Sequence, residues 1–331
     1  MTVHMRSVAA STPRIVVEST PLIVVLCASH VDSRERLAAL VRSVESVREQ
    51  SLVLSAPLVL SLSYEAGMKE AVESFIAASD ASERAVVLSS DTRLSQFQHY
   101  ARALRRLDED GRRELGDDDG WCMFCDDDDY SHPLRMLAYS EAVAAAAADS
   151  WSTYCSFGQK SVYGREDAWR MSLREIDASP AQVGEGGQEY FMFASRRRAL
   201  RFFCERCGPE TLALPECDLM FRNFLRCLPC HVFPCPTGRW LYAKTMRGVP
   251  VADDARMREL GHIWRGAVHR LADAPSLSFD ATMSRFAHLI VDPGRAPHLL
   301  ETVGKSLDGV LSTHAELLAR QFFEPGFIKA V

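Results

Sequence analysis

The 331-residue sequence predicts an α/β fold in which a mostly parallel sheet is flanked by helices. Short runs rich in Val, Ile and Leu, at residues 21–29, 57–64, 85–89 and 121–125, alternate with longer stretches whose apolar residues recur at helical spacing. Such alternation is typical of strand–helix–strand units, which build parallel sheets with helices on their faces. The fold class therefore follows from the order of these elements.

The first half of the chain contains three such units. Residues 21–29 form a continuous apolar run, as expected for a central strand buried on both faces. The helix predicted after it has one apolar side, formed by Leu37, Leu40, Val41, Val44 and Val47. The strand at 57–64 precedes a helix at about 68–78, and the strand at 85–89 precedes a helix at 94–107.

The second half is less regular. Residues 151–157 alternate in polarity and predict a strand, and residues 160–164 are expected to pair with it as a hairpin. Residues 196–203 indicate a helix with a basic exposed side. Helical patterns also occupy most of the C-terminal part, at 255–271, 282–291 and 296–323.

Composition limits the functional classes. The hydrophobic content of 47% and charged content of 25% are those of a globular protein, and a net charge of -6 argues against nucleic-acid binding as the main role. No apolar stretch is long enough for a membrane span, and residues 1–20 lack the apolar core of a signal peptide, so we expect a mobile arm there. Ten cysteines without a signal segment indicate reduced thiols and a cytoplasmic location.

The most informative stretch is the run of four aspartates at residues 126–129. It follows the apolar strand at 121–125, and Pro133 and a helical pattern come after it. Four adjacent carboxylates repel one another, and the hard cations Mg²⁺ and Mn²⁺ prefer such oxygen ligands. Ligands of open α/β sheets bind at the carboxyl ends of the strands. We interpret the run as a divalent metal site; a solvated loop, as at 117–119, is the alternative.

This order of features resembles the metal-binding segment of glycosyltransferases with the GT-A fold, in particular those of family 2. The matching residues are Asp126, Asp128 and Asp129, in the pattern Asp-x-Asp-Asp, followed by Pro133. The resemblance implies that the three aspartates bind Mn²⁺ or Mg²⁺, which bridges the two phosphates of a nucleotide-sugar donor. It implies a glycosyltransferase whose acceptor is a glycan, a protein or a small molecule.

The resemblance also implies a division of the chain. A GT-A (Rossmann-like) catalytic domain would occupy residues 21–250, with a nucleotide-sugar half at 21–135 and an acceptor half at 151–250. A helical extension would follow at 251–331.

In the nucleotide half, the resemblance implies contacts to the base and phosphates. Glu65, at the end of the second strand, is the residue expected to accept a hydrogen bond from a uracil ring, so a UDP-sugar is the favoured donor. Arg93 would pair with a phosphate; simple solvent exposure is the alternative. The full set of donor-binding residues is Ala28, Ser29, His30, Asp32, Glu65, Arg93, Asp126 and Asp127.

Residues 214–222 resemble a second family 2 motif, in which two acidic residues open a helix and an arginine lies four residues beyond the second. Glu216 falls at the catalytic position of that motif, followed by Asp218 and Arg222. An inverting transfer needs a carboxylate to accept the proton of the attacking hydroxyl. The alternative is a pair of acidic residues stabilised by the dipole of the helix that they begin.

Cysteine spacing offers another interpretation of this region. The pairs Cys204-x-x-Cys207 and Cys227-x-x-Cys230 are separated by nineteen residues, which fits a four-cysteine zinc site. A zinc-stabilised binding protein is therefore one alternative function. A sugar-phosphate nucleotidyltransferase of similar fold is another, although it would favour a glycine-rich loop after the first strand, and residues 28–33 contain no glycine.

Overall fold

The structure is a computed structural model, and the residues described are 23–50, 58–80, 85–109, 120–144, 151–156, 158–162, 170–179, 189–233, 235, 240–245, 267 and 270–271. The N-terminal arm expected at 1–20 lies outside these ranges, as does nearly all of the helical extension expected at 251–331.

Ten strands are present in the described ranges: β1 (Ile23–Val31), β2 (Leu58–Tyr64), β3 (Ala85–Ser90), β4 (Trp121–Asp126), β5 (Tyr130–Ser131), β6 (Thr153–Ser156), β7 (Gln159–Ser161), β8 (Phe193–Arg196), β9 (Cys230–Phe233) and β10 (Tyr242–Lys244). Seven form one sheet in the order β3-β2-β1-β4-β8-β6-β9, and the other three form a small sheet in the order β5-β10-β7. In the large sheet β8 is antiparallel to both of its neighbours, while the other pairs are parallel. The expected mixed, mostly parallel sheet is confirmed.

The α-helices of the described ranges are α1 (Arg34–Arg48), α2 (Lys69–Asp80), α3 (Gln96–Glu109), α4 (Arg135–Ala144), α5 (Leu173–Ala178), α6 (Arg197–Leu212) and α7 (Cys217–Cys227). Helix α1 begins after Ser33, whose hydroxyl accepts the N–H of Arg36 at 3.2 Å, a typical N-cap. Helix α6 is kinked at Gly208, which has φ 79° and precedes Pro209. Glycine adopts this left-handed conformation without the steric cost that a Cβ atom would add.

Strand β1 is buried on both faces, as its continuous apolar sequence predicts. Val24 and Leu26 pack into a cluster with α3, α6 and α7, and Val25 and Cys27 pack into a second cluster with α1 and α4. Because helices of the described ranges cover both faces of the central strands, a ligand of the sheet is expected at the carboxyl ends of β1, β2 and β4.

An aromatic cluster holds α3, α6 and α7 beside the end of β4. Phe97 lies at its centre, with ring centroids 5.2–5.9 Å from those of Tyr100, Tyr190, Phe203 and Phe221. Tyr190 belongs to a short 3-10 helix, Tyr190–Met192, that precedes β8. The packing of these rings therefore fixes the position of a polar hydroxyl group near the acidic run.

The hairpin expected between 151–157 and 160–164 is wrong. Strand β6 pairs with β8 and β9 in the large sheet, whereas β7 pairs with β10 in the small one. The carbonyl of Gly158, between them, accepts the N–H of Leu241 at 2.6 Å and that of Tyr242 at 3.1 Å. A Cβ atom at Gly158 would lie 3.1 Å from the Leu241 nitrogen, so this close approach of two backbones favours glycine.

We predict that Phe97→Ala destabilises the protein by about 3–5 kcal/mol, because it removes a fully buried ring and leaves a cavity. Urea unfolding followed by circular dichroism would measure the loss. Leu134→Ala is the matched control, since Leu134 is 38% exposed and its truncation should change the free energy of unfolding little. Equal effects of the two substitutions would contradict the central role of the cluster.

Candidate active site

The parallel register brings the predicted donor-binding residues to one edge of the sheet. Ala28 of β1 is paired with Asp126 of β4, and His30 of β1 with Ser63 of β2. Glu65 follows β2 at the same edge, and its N–H donates to the carbonyl of Val31 at 3.0 Å. Residues that are far apart in sequence therefore surround the carboxyl ends of three adjacent strands.

Asp126 is held by groups from three other elements. Its Oδ1 accepts hydrogen bonds from the hydroxyl of Tyr190 and from Nε2 of Gln96, the latter at 2.9 Å. Its backbone N–H donates to the hydroxyl of Tyr242 at 2.9 Å. Burial, and then the charge of Asp128, raise the pKa of Asp126 to about 6. Asp126 is thus a fixed carboxylate that would be stabilised by a nearby positive charge.

Arg36, in the first turn of α1, neutralises the middle of the acidic run. Its guanidinium contacts both oxygens of Asp127, at 2.7 Å and 2.9 Å, and Oδ2 of Asp128 at 2.9 Å. The hydroxyl of Ser29 also donates to Asp127. Burial still raises the pKa of Asp127 to about 7, although Arg36 opposes this shift. We infer that Asp127 anchors α1 to the site.

The last two aspartates differ in their exposure. The Asp128 side chain is 19% exposed, while Asp129 is buried. Oδ1 of Asp129 accepts the N–H of Thr245 at 3.0 Å, and its Oδ2 has no hydrogen-bond partner within the described part of the chain. Burial, followed by the charge of Asp128, raises the pKa of Asp129 well above its usual value. Asp128 is therefore the more accessible of the two carboxylates.

These residues fit a metal that is shared with a phosphate ligand. Among the described residues, no group of three or more His, Cys, Asp or Glu side chains could hold a metal ion. Mg²⁺ is commonly bound by only one or two carboxylates, with phosphates and water completing its shell. Gln96 donates to Oδ1 of Asp126 and Arg36 donates to Oδ2 of Asp128. The buried Oδ2 of Asp129 is unpaired among the described residues. The donor set thus suits a two-carboxylate site, and the predicted metal ligands stay a prediction.

Asp218, in the second motif, is electrostatically linked to the first motif. It lies in the first turn of α7, and its Oδ1 accepts the N–H of Leu219 at 2.7 Å. Burial raises the pKa of Asp218 to about 6, and the charge of Asp218 in turn raises the pKa of Asp126. Glu216 precedes α7 and is partly buried. The structure therefore links Asp218 electrostatically to the four-aspartate run.

Lys244, at the end of β10, is a cation shared by this acidic group. Its charge lowers the pKa values of Asp126, Asp129 and Asp218, each of which burial raises more strongly. Its ammonium also lies 5.5 Å from the centre of the Phe191 ring. The basic side chain thus lies within electrostatic reach of both predicted motifs.

The positions of the other predicted donor-binding residues do not test the roles predicted for them. Asp32 and Arg93 are exposed in the segments after β1 and β3, and their binding roles stay predictions. Cys204 and Cys207 are buried in α6, while Sγ of Cys230 lies 3.5 Å from Sγ of Cys155 in the neighbouring strand β6. All four cysteines of the predicted zinc site lie in the described ranges, and no three of them are placed to hold a metal ion together, so the structure does not support that site.

Sequence reasoning missed several residues that shape the candidate site, namely Arg36, Gln96, Tyr190, Tyr242, Lys244 and Thr245. No local sequence pattern distinguishes Tyr190 and Tyr242 from the aromatic residues of the core. Arg36 had a usable signal, because a basic residue in the first turn of a helix is unfavourable for the helix dipole and suggests a compensating partner.

We predict that Arg36→Met destabilises the protein by roughly 1–3 kcal/mol, since it leaves the buried carboxylate of Asp127 without its cation. The expected cost is reduced because the Arg36 side chain is 33% exposed. Urea unfolding would measure it, with Arg34→Met, an exposed arginine of the same helix turn, as the control. Adding Asp127→Asn to Arg36→Met should restore most of the loss; no restoration would show that the pair is not the cause.

No protein-family model matches the sequence, and no curated protein matches it. Within the described ranges, no helix is long and apolar enough to cross a membrane.

Solved structures of similar fold are crystal structures of S. aureus TarS. TarS 1-349 has a TM-score of 0.52 and 13% identity, with 88% of this chain and 77% of that chain covered. TarS 1-349 in complex with UDP has a TM-score of 0.52 and 12% identity, covering 90% and 86%. A longer TarS chain has a TM-score of 0.51 and 12% identity, covering 90% and 50%. At such low identity the likeness concerns the fold, and the expected GT-A type of mixed α/β sheet is confirmed.

Proposed function

We propose that this protein is a metal-dependent, inverting glycosyltransferase that transfers a sugar from a nucleotide-diphosphate donor to an acceptor hydroxyl, with a UDP-sugar as the favoured donor. The observation that carries the proposal is that Asp126, His30 and Glu65, at the carboxyl ends of β4, β1 and β2, lie at one edge of the sheet. The resemblance in fold to TarS in complex with UDP supports the nucleotide class. The acceptor class, whether glycan, protein or small molecule, stays open.

The donor would lie across the carboxyl ends of β1, β2 and β4. Asp126 and Asp128 would hold Mn²⁺ or Mg²⁺, which when bound supplies positive charge that offsets the charge developing on the leaving diphosphate. Lys244 would add a second positive charge beside the same phosphates. The base would lie over His30 and Glu65, at the ends of β1 and β2. In this arrangement the buried carboxylates attract the cation, and the cation attracts the donor.

Asp218 is the preferred candidate for the general base. In an inverting transfer the acceptor oxygen forms a bond to the anomeric carbon while the bond from that carbon to the diphosphate breaks on the opposite face. The hydroxyl proton passes to a carboxylate, and a base is most effective when its pKa lies near the working pH. Burial places the pKa of Asp218 at about 6, close to that range. Glu216 is the runner-up, because the motif resemblance points to it.

We predict that UDP with Mn²⁺ raises the melting temperature of the protein and that Asp128→Asn abolishes the metal-dependent part of this rise. A ligand present at 100 times its dissociation constant stabilises the native state by about 2.7 kcal/mol. Differential scanning fluorimetry with a panel of nucleotide diphosphates would measure the shifts. Glu73→Gln, which changes an exposed acid on α2, should behave like the wild type.

The result that would contradict this proposal is a folded wild-type protein whose melting temperature is unchanged by every nucleotide. Stoichiometric zinc in such a protein would instead favour the zinc-stabilised binding protein. Metal-dependent nucleotide binding accompanied by pyrophosphate release from a sugar phosphate and a nucleoside triphosphate would favour the nucleotidyltransferase.

We also predict that Asp218→Asn lowers kcat by roughly 10²–10⁴-fold while UDP binding is retained, because it removes the base and leaves the donor site intact. In the wild type, kcat/KM should fall as the pH drops through about 6, where Asp218 becomes protonated. Initial rates of UDP release from UDP-sugars would measure both effects once an acceptor is found. A larger loss in Glu216→Gln than in Asp218→Asn would reverse the assignment.

The pH dependence of stability independently tests whether the pKa of Asp218 is raised. Because the pKa of this residue is raised in the folded state, its charged form opposes folding at a pH above about 6. Asp218→Asn should therefore stabilise the protein at pH 8 by on the order of 1–2 kcal/mol, by about half as much at pH 5, and hardly at all below about pH 4, where the unfolded state is protonated as well. Destabilisation at pH 8 would show that the folded state favours the carboxylate.

A further inference from the structure

A chain of hydrogen bonds runs from the interior of β2 to the exposed end of the same strand. Ser61 Oγ lies 2.9 Å from Nδ1 of His99, and Nε2 of His99 lies 3.0 Å from Oγ of Ser63. Ser63 Oγ lies 2.9 Å from Nδ1 of His30, whose Nε2 lies 3.2 Å from Oε1 of Glu65. We call these five residues the histidine relay. It connects a buried histidine of α3 to the two residues that would face the nucleotide base.

The number of available protons determines the direction of each hydrogen bond in the relay. Ser63 Oγ also accepts the N–H of Leu94 at 3.3 Å, so this hydroxyl has one proton to donate and one remaining position to accept. The Glu65 carboxylate can only accept, so His30 must carry a proton on Nε2. In a neutral His30 ring, Nδ1 then accepts the Ser63 proton, and Ser63 in turn accepts from Nε2 of His99.

Burial keeps the inner member of the relay neutral. His99 is 1% exposed, and burial lowers its pKa to about 4, with smaller effects from Arg102 and His30. A neutral imidazole has one donor and one acceptor. With its proton on Nε2, His99 donates to Ser63 and accepts from Ser61, so every member of the relay is satisfied.

We propose that His99, acting through Ser63, is a positioning residue that holds His30 with its proton on Nε2, so that His30 and Glu65 together recognise the lactam edge of a nucleobase. This inference rests on the proposed donor site. Glu65 is 57% exposed and offers an acceptor. The Nε2–H of His30, which donates to Glu65 in the ligand-free protein, would be shared with the carbonyl of a bound base as a three-centre hydrogen bond. A lactam edge presents the complementary N–H and C=O groups.

Hydrogen-bond complementarity to Glu65 and His30 determines which nucleobases the site would accept. Uracil and guanine carry a ring N–H next to a carbonyl oxygen, which pairs with the acceptor and donor of Glu65 and His30. Cytosine and adenine carry a ring nitrogen acceptor next to an amino group, so they would oppose acceptor to acceptor and donor to donor. Leaving polar groups unpaired in this way strongly disfavours the wrong ligand.

Nuclear magnetic resonance of the ligand-free protein tests the relay directly. Long-range ¹⁵N–¹H spectra distinguish the two neutral tautomers, and the His30→Gln and His99→Gln variants assign the signals among the ten histidines. We expect both rings to carry their proton on Nε2. A proton on Nδ1 of either neutral ring would overturn the proposed arrangement, and this readout does not depend on activity or on nucleotide binding.

Calorimetric titration tests the recognition role. The wild type should bind UDP at least about 10-fold tighter than CDP in the presence of Mn²⁺, and Ser63→Ala should reduce this ratio by about 3–10-fold, as expected for losing one positioning hydrogen bond. Ser74→Ala, which removes an exposed hydroxyl on α2, is the matched control and should leave the ratio unchanged. A purely structural relay would change stability without changing the ratio.

The binding results distinguish a failure of the recognition role from a failure of the proposed function. If UDP binds but CDP binds equally well, or if the ratio is unchanged in folded Ser63→Ala, the recognition role is wrong while the donor site stands. If no nucleotide binds, the proposed function fails and the recognition role fails with it. The predicted tautomers together with a reduced ratio in Ser63→Ala would support the proposal.

Discussion

The mutual repulsion of four consecutive carboxylates at the end of β4 is the constraint on which the candidate site depends. Water would solvate such a run in an open loop, but here Asp127 and Asp129 are buried. Each charge that leaves water needs a partner, because the desolvation cost is otherwise large. Arg36 supplies a cation from α1, and Thr245 supplies a backbone N–H from the segment after β10. The acidic run therefore determines which elements must meet at this edge.

The aromatic core places the neutral partners of the same run. Tyr190 and Tyr242 have buried rings, and both use their hydroxyl groups to contact Asp126. Phe97 packs against Tyr190, so the position of this hydroxyl depends on the interior packing of α3, α6 and α7. Stacking of Phe191 on Tyr242, with centroids 4.5 Å apart, provides similar support for β10. The geometry of the candidate site therefore depends on the packing of the core.

Local sequence patterns predicted the strands, which depend on nearby residues. They did not predict strand pairing or contacts between residues that are far apart in the sequence. The continuous apolar runs predicted β1 and β4, and the aspartates at the end of β4 indicated where the candidate site lies. The hairpin failed because β6 and β7 each find better partners in different sheets. The contacts of Arg36 with Asp127 and of Tyr190 with Asp126 span 91 and 64 residues, and no local periodicity reports such pairs. Asp218 could be named from a motif, but its electrostatic link to Asp126 required the fold.

The raised pKa values of the candidate site indicate that its buried carboxylates lower the stability of the folded protein. Burial raises the pKa values of Asp126 and Asp218 to about 6 although Lys244 lowers both, so the charged forms remain undercompensated near neutral pH. A stability optimum would place an amide or a further cation here. The two carboxylates are explained if a cation binds together with the ligand. The cation would then stabilise the charged forms of Asp126 and Asp218, and this stabilisation would contribute to the free energy of binding.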